Sequence, residues 1–339
     1  MKTVFSNPIV KKPFLVILAL TTVALFQGCD NQSSGTPAGS AQKKLRLAFV
    51  ANTPDDFWSV VRLGCDTANR ELGDVDLDFR FPASPTVEAQ QELVNSLMAD
   101  GVDGIAISPI DAERQTDFLN SVAAKTLLVC ADSDATNSKR AGYIGTDNIA
   151  AGRQAAELLK AALPQGGKIV LFASYPNAQN IKDRMQGLQT GLAGSNIQIA
   201  DTLVDGAQSA VAQKNAQDVL LKYPDLAGMQ CLNGYQGAAI LTAVRGAGKA
   251  GQVKIVCFDD SSETLEGIAA GDISGTIVQT PFNFGYQTIN RMGKYLHGDK
   301  TQLSDGTILL PSKSLTKDKV EEFQAWRKTL LLKLKDDQK

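Results

Sequence analysis

The chain has 339 residues, with 34 Lys and Arg against 36 Asp and Glu and a single His, for a formal net charge of -2. Near-neutral charge argues against a nucleic-acid binder, and one His with five Cys leaves little material for a zinc site or a Ser-His-Asp triad. The length predicts two domains, and the hydrophobic fraction of 43% and charged fraction of 21% are those of a globular protein.

The first stretch reads as an address and not as fold. Lys2, Lys11 and Lys12 precede an apolar run from Phe14 to Phe26, which is the length of a signal-peptide core and short for a membrane span. The run ends at Gly28-Cys29, and a polar tether follows from Asp30 to Ser40. A Cys directly after such a core and before a linker looks like the lipidation site of bacterial lipoproteins. Residues 1–29 are therefore expected to be a lipoprotein signal peptide with Cys29 its lipid acceptor, and 30–43 a flexible tether. Ordinary cleavage nearby or an uncleaved anchor are the alternatives, and each exports the folded part.

From Leu45 the chain alternates short apolar runs with longer amphipathic ones. Strands are predicted at Leu45 to Ala51, near Leu77 to Phe81, at Ile105 to Ile107 and at Leu127 to Cys130, with helices from Asp56 to Leu72 and from Val87 to Met98 and another between the last two strands. The pattern restarts at Lys168 to Ser174. A helix runs through Met185 and Leu188, a strand from Ile197 to Val204 and a helix from Ser209 to Leu221. The strand Met229 to Leu232, a helix through Ile240 and Val244, and strands Val253 to Phe258 and Gly275 to Gln279 complete the series. Strands alternating with helices mean parallel sheets covered on both faces, and two such arrays suggest two similar doubly wound lobes. Lys317 to Lys339 reads as a terminal helix with Val320, Phe323, Trp326, Leu330 and Leu331 on its apolar face. Cys130, Cys231 and Cys257 fall in apolar runs and, with Cys65, match no metal motif; they read as buried hydrophobes, with a disulfide left open.

Ligands of such sheets sit beyond the carboxyl ends of the strands. Asp55, Phe57 and Trp58 follow the first strand; Asp132, Asn233, Asp259 and Gln279 follow later ones, and Arg184 lies on a helix. Asp, Asn, Gln and Arg present planar forks of donors and acceptors that match adjacent sugar hydroxyls, and an aromatic face packs against the C–H face of a sugar ring. Each residue also has a structural role open to it. Asp132 and Asp259 are suited to cap helices, Asn233 to a turn before Gly234, Gln279 to a connector, Phe57 and Trp58 to core, and Arg184 to the surface. Only the binding reading requires their joint placement at strand ends.

These residues lie within a set of short motifs: Asp55-Asp56-Phe57-Trp58, Gly104-Ile105-Ala106-Ile107-Ser108-Pro109, Ile144-Gly145-Thr146-Asp147-Asn148, Arg184-Met185-Gln186-Gly187, Leu232-Asn233, Cys257-Phe258-Asp259-Asp260 and Ile277-Val278-Gln279-Thr280-Pro281. In this order the chain, from about Leu45 to Thr301, resembles the ribose-binding type of periplasmic sugar-binding proteins of ABC importers. The resemblance implies two α/β lobes of the type I periplasmic binding protein fold joined by a three-strand hinge near Gly145 to Asp147, Gln279 to Pro281 and Ile308 to Pro311. Residues 44–145 and 281–307 would form the N-terminal lobe, and 146–280 and 308–339 the C-terminal lobe. It implies that Asp55, Phe57, Trp58, Asp132, Arg184, Asn233, Asp259 and Gln279 bind the ligand. It further implies an extracytoplasmic, monomeric, lipid-anchored protein without cofactor, metal or catalytic residues, which closes on a sugar or polyol and delivers it to a permease. Two departures, Ser133 in place of the family's Arg and a loop Asp205-Gly206-Ala207-Gln208 without its aromatic, restrict the expectation to the class and exclude naming ribose.

Other readings are weighed against this one. An exported sugar-processing enzyme would draw on Asp132 with Asp259 and Asp260, but adjacent residues at one strand end usually point apart. His297 sits late in a helix before Gly298, where a helix C-terminus suffices to explain it. A sugar-responsive repressor would need a DNA-binding element where the export signal stands. A receptor subunit coupled to a membrane sensor would use the same binding fold.

Overall fold

The computed structural model describes residues 44–336, so the expected signal peptide and tether, with Cys29, lie outside the described residues. The first half builds β1 (Leu45–Val50), α1 (Asp56–Leu72), β2 (Val75–Arg80), α2 (Val87–Ala99), β3 (Gly104–Ile107), α3 (Ala112–Ala123), β4 (Leu127–Ala131) and β5 (Gly142–Thr146). The second builds α4 (Asn148–Ala162), β6 (Gly167–Ala173), α5 (Gln179–Leu192), β7 (Ile197–Val204), α6 (Ser209–Lys222), β8 (Leu226–Cys231), α7 (Gly234–Gly246), β9 (Lys254–Phe258), α8 (Ser262–Ala270) and β10 (Gly275–Val278). The chain then returns with α9 (Pro281–Leu296), a 3-10 turn at Lys300–Leu303, β11 (Thr307–Leu310), β12 (Lys313–Leu315) and α10 (Lys317–Asp336).

The strands form two six-stranded sheets, ordered β11-β5-β4-β3-β1-β2 and β12-β10-β9-β8-β6-β7. Fully buried strands such as Gly104–Ile107 and Gly275–Val278 carry apolar or small residues throughout, as expected where helices cover both faces of a parallel sheet. Each sheet accordingly has a packed core on either side. Phe49, Trp58, Ile144 and Phe284 lie on one face of the first sheet, and Val50, Ile107, Leu119 and Leu128 on the other. Every pairing is parallel except β10 with β12. That exception follows from the hinge. β10 runs toward the hinge at Gln279, whereas β12 enters the second sheet from the hinge, after β11, and so runs the opposite way.

One boundary differs from the sequence expectation, which placed residues from 308 onward in the second lobe. β11 pairs with β5, Ile308 opposite Ile144 and Leu310 opposite Thr146. Ile308 and Leu310 pack on the core of the first lobe, so the last crossing follows Leu310.

In each lobe a helix pair touches backbone to backbone through glycine. A Cβ on Gly285 would lie 1.9 Å from the Val61 carbonyl oxygen where α9 crosses α1, and one on Gly187 would lie 2.1 Å from that of Ile149 where α5 crosses α4. Gly187 is one turn beyond Arg184, so this close approach also sets where that guanidinium stands. Gly187→Ala should force α4 and α5 apart and cost about 1–3 kcal/mol, the usual price of overpacking. Gly246→Ala, where an added Cβ meets nothing within 4 Å, should be near neutral. Urea unfolding of the two variants checks the contrast.

Candidate functional site

The carboxyl ends of both sheets border one cavity, and all eight candidate residues line it. Asp55, Phe57, Trp58 and Asp132 come from the first lobe; Arg184, Asn233 and Asp259 come from the second, and Gln279 from the hinge. Their local settings differ. Asp55 is the N-cap of α1, accepting from the Phe57 amide at 2.9 Å. Asn233 caps α7 and forms a capping box with Gln236, and its Oδ1 accepts from the Ser174 amide at 3.1 Å. Trp58 is only 2% exposed and packs edge-on against Phe49 and Phe57, so most of its ring serves the core. Phe57 is the more open of the pair.

Asp132 and Asp259 do not cap helices. They occupy corresponding places, just past the ends of β4 and β9, and both hold left-handed backbone with φ of 64° and 66°. Asp tolerates that region better than most residues, yet it carries a cost of about 1–3 kcal/mol and clusters at functional sites. Asp132 Oδ2 accepts from Ser108 Oγ at 2.9 Å and from Asn180 Nδ2 across the cleft at 3.5 Å. Asp259 Oδ1 accepts from Gln279 Nε2 at 2.6 Å, and Gln279 Oε1 accepts from Thr146 Oγ1 at 2.7 Å. The last bond ties two hinge crossings together. Burial pushes the carboxyl of Asp132 up to about 6 and that of Asp259 up to about 7, against the opposing pull of Arg184.

Arg184 is 2% exposed. Its Nε donates to Asn148 Oδ1 at 2.9 Å, its Nη1 donates to the Leu232 carbonyl at 2.6 Å, and its guanidinium carbon lies 4.2 Å from the Phe258 ring centroid. The sequence reading left open that it was a surface charge; it is among the largest fully buried side chains of the molecule. Among the described residues no ion pair joins it to a carboxylate, yet its charge acts on both Asp132 and Asp259. The cavity thus offers one fixed cation and three acidic side chains, Asp55, Asp132 and Asp259. That set accepts hydrogen bonds from hydroxyls and donates others in return.

The lining also includes Asn52, Tyr175, Asn180 and Tyr235. Asn52 and Tyr175 follow β1 and β6, so the strand-end rule applied fully would have found them. Asn180 sits one turn before Arg184 on α5, so it shares that residue's face. Tyr235 carried no signal of its own. Direct bonds join the lobes beside the cavity: Tyr175 Oη donates to the Pro85 carbonyl at 3.0 Å, Asn177 Nδ2 to Asp111 Oδ2 at 3.1 Å and Lys182 Nζ to Glu113 Oε1 at 2.6 Å.

The groups weighed for other chemistry are engaged elsewhere. Asp260 pairs with Arg327 at 2.6 Å and His297 with Asp74 at 2.9 Å. The four described cysteines are buried and free, with the sulfurs of Cys231 and Cys257 3.6 Å apart. Among the described residues no helix is long and apolar enough to cross a membrane, and no group of His, Cys, Asp or Glu is arranged to hold a metal ion.

Comparison with known proteins adds a second line. Residues 47–300 match the periplasmic binding protein domain. The fructose import binding protein of Bifidobacterium longum is 25% identical over 306 residues, covering 85% of this chain and 90% of that protein. The D-allose-binding periplasmic protein of Escherichia coli is 26% identical over 269 residues, covering 74% and 86%. A glucose-galactose binding protein from Geobacillus stearothermophilus superposes with a TM-score of 0.77 at 23% identity, covering 82% of this chain and 99% of that one.

Proposed function

The chain belongs to the periplasmic binding protein family, and from that premise we propose that it is an exported solute-binding protein that captures a monosaccharide or related polyol between its lobes and hands it, in the closed form, to an ABC importer. The observation that carries this reading is the cavity itself. Asp132 from one lobe and Arg184, Asn233 and Asp259 from the other converge on one space beside the Phe57 ring, so a ligand held by all of them bridges both lobes and favours the closed arrangement. The curated relatives named for fructose and allose support a sugar as that ligand. Anchoring through a lipid on Cys29 and a monomeric state belong to the same reading, and the protein binds its ligand without converting it.

A thermal-shift screen of monosaccharides, pentitols, inositols and nucleosides on the protein lacking residues 1–29 tests it. A specific ligand at a hundredfold excess over its dissociation constant adds about 2.7 kcal/mol, which shifts a domain of this size by several degrees. One sugar or polyol is expected to stand out. A shift with amino acids or purines and none with any polyol would overturn the proposal.

A further inference from the structure

The two edges of the cleft differ. The direct bonds between the lobes, from Tyr175, Asn177 and Lys182 to Pro85, Asp111 and Glu113, lie along one edge. There the α2 and α3 side of the first sheet meets the α4 and α5 side of the second. At the other edge, where α1 and α9 stand opposite α7 and α8, a passage opens from the cavity. It shares Asp55, Phe57, Tyr235 and Asp259 with the cavity, so the two form one continuous space.

The walls of the passage are chemically unlike. On the first-lobe side Pro54, Val60 and Pro281 continue the apolar surface begun by Phe57. On the second-lobe side stand Ser209, Asp260, Ser261 and Glu263, with Arg327 of α10. Arg327 Nε donates to Asp260 Oδ2 at 2.6 Å, and both side chains are a quarter exposed. That pair is neutral as a whole, and Glu263 adds a negative charge. Arg327 lies beyond residue 300, where the match to the periplasmic binding protein domain ends, so the terminal helix supplies this part of the wall. An apolar wall facing one of hydroxyls, carboxylates and a guanidinium suits a second sugar ring, which turns a C–H face one way and its hydroxyls another.

We propose that the passage is a subsite for a second sugar unit, so that the ligand is a disaccharide with one ring in the cavity and the other in the passage. The inference rests on the sugar-binding reading and extends it by one ring. The negative balance of the wall disfavours a phosphate in the same place, since like charges brought together are costly.

Titration calorimetry tests it with D-glucose beside maltose, cellobiose and isomaltose, D-galactose beside lactose and melibiose, D-xylose beside xylobiose, and D-fructose beside sucrose. Glucose 6-phosphate is the charged probe. One disaccharide should bind ~10-fold or more tightly than its component sugars. Ala238 and Arg327 border the passage and not the cavity. Ala238→Leu, which narrows the passage, should weaken that disaccharide ~10-fold, and Arg327→Ala, which removes a donor, ~3-fold or more. Both should hold the component sugar within ~2-fold of wild type, which also shows that they fold. The subsite is overturned, with the sugar reading left standing, if no disaccharide binds more tightly than its component sugars, or if both variants lose disaccharide and monosaccharide equally. Unchanged disaccharide affinity in Ala238→Leu overturns it too, and unchanged affinity in Arg327→Ala removes α10 from it. Tighter binding of glucose 6-phosphate than of glucose would put an anion in the passage in place of a sugar. Wild type that binds no sugar of either kind instead overturns the underlying sugar reading, and the inference with it.

Discussion

Arg184→Ala is expected to weaken ligand binding roughly 30-fold or more, because truncating one member of a buried, hydrogen-bonded charge set costs about 2–5 kcal/mol. The residue is 2% exposed, held by Asn148 and the Leu232 carbonyl, and lies against Phe258. Its charge opposes the effect of burial on both carboxyls. Removing it leaves Asp132 and Asp259 facing the cavity with only the hydrogen bonds from Ser108, Asn180 and Gln279 to support their charge. Both would then hold their protons more tightly and become poorer acceptors for ligand hydroxyls. Arg184→Lys should not rescue, since an ammonium cannot span Asn148 and Leu232 with a planar fork. Titration calorimetry with the sugar found in the screen decides the matter: unchanged affinity in the Ala variant would sink the site assignment.

Much of this site was legible because of a geometric rule. In parallel sheets the residue after each strand faces a crevice, so Asp132, Asn233, Asp259 and Gln279 could be picked out without contacts. The same rule cannot tell what a side chain turns toward. Trp58 and Phe57 are neighbours in sequence and both border the cavity, yet the Trp58 ring is buried on the core against Phe49 while Phe57 is only half-buried. Arg184 reads as surface beside Lys182 and Asp183. It is buried because Gly152 and Gly187 let two helices approach closely enough to bring it inward. Tyr235 is tied by its hydroxyl to Asp205, thirty positions away, and no local pattern encodes that pairing. The fold followed from periodicity, but an apolar run does not say which sheet it joins; the pairing of β11 with β5, with Ile308 and Leu310 meeting the first core, assigns it to the first sheet.

The two buried carboxyls also predict how binding responds to pH. Asp132 and Asp259 are raised from an ordinary 3.8 to about 6 and about 7, chiefly by burial. The folded, unliganded protein therefore binds more protons than the unfolded chain between about pH 4 and pH 7. From these two groups its stability falls as pH rises through that window and levels off above it. Ligand binding has the opposite sign. Hydroxyls donate best to ionised carboxylates, so the ligand selects the deprotonated forms, lowers both values and expels protons. Affinity should rise by ~10-fold or more between pH 5 and pH 8, since each pH unit below a group's value costs up to tenfold when only the ionised form binds. Calorimetry at pH 6 in two buffers of different ionisation enthalpy should register proton release on binding. Asp259→Asn, which stays neutral at every pH, should bind more weakly at pH 8 and flatten the upper part of the profile. Affinity that does not change between pH 5 and pH 8 in wild type would mean that neither carboxylate receives a ligand hydroxyl. The opposed slopes of unliganded stability and affinity tie the effect to the cavity, because a general acid destabilisation would lower both together.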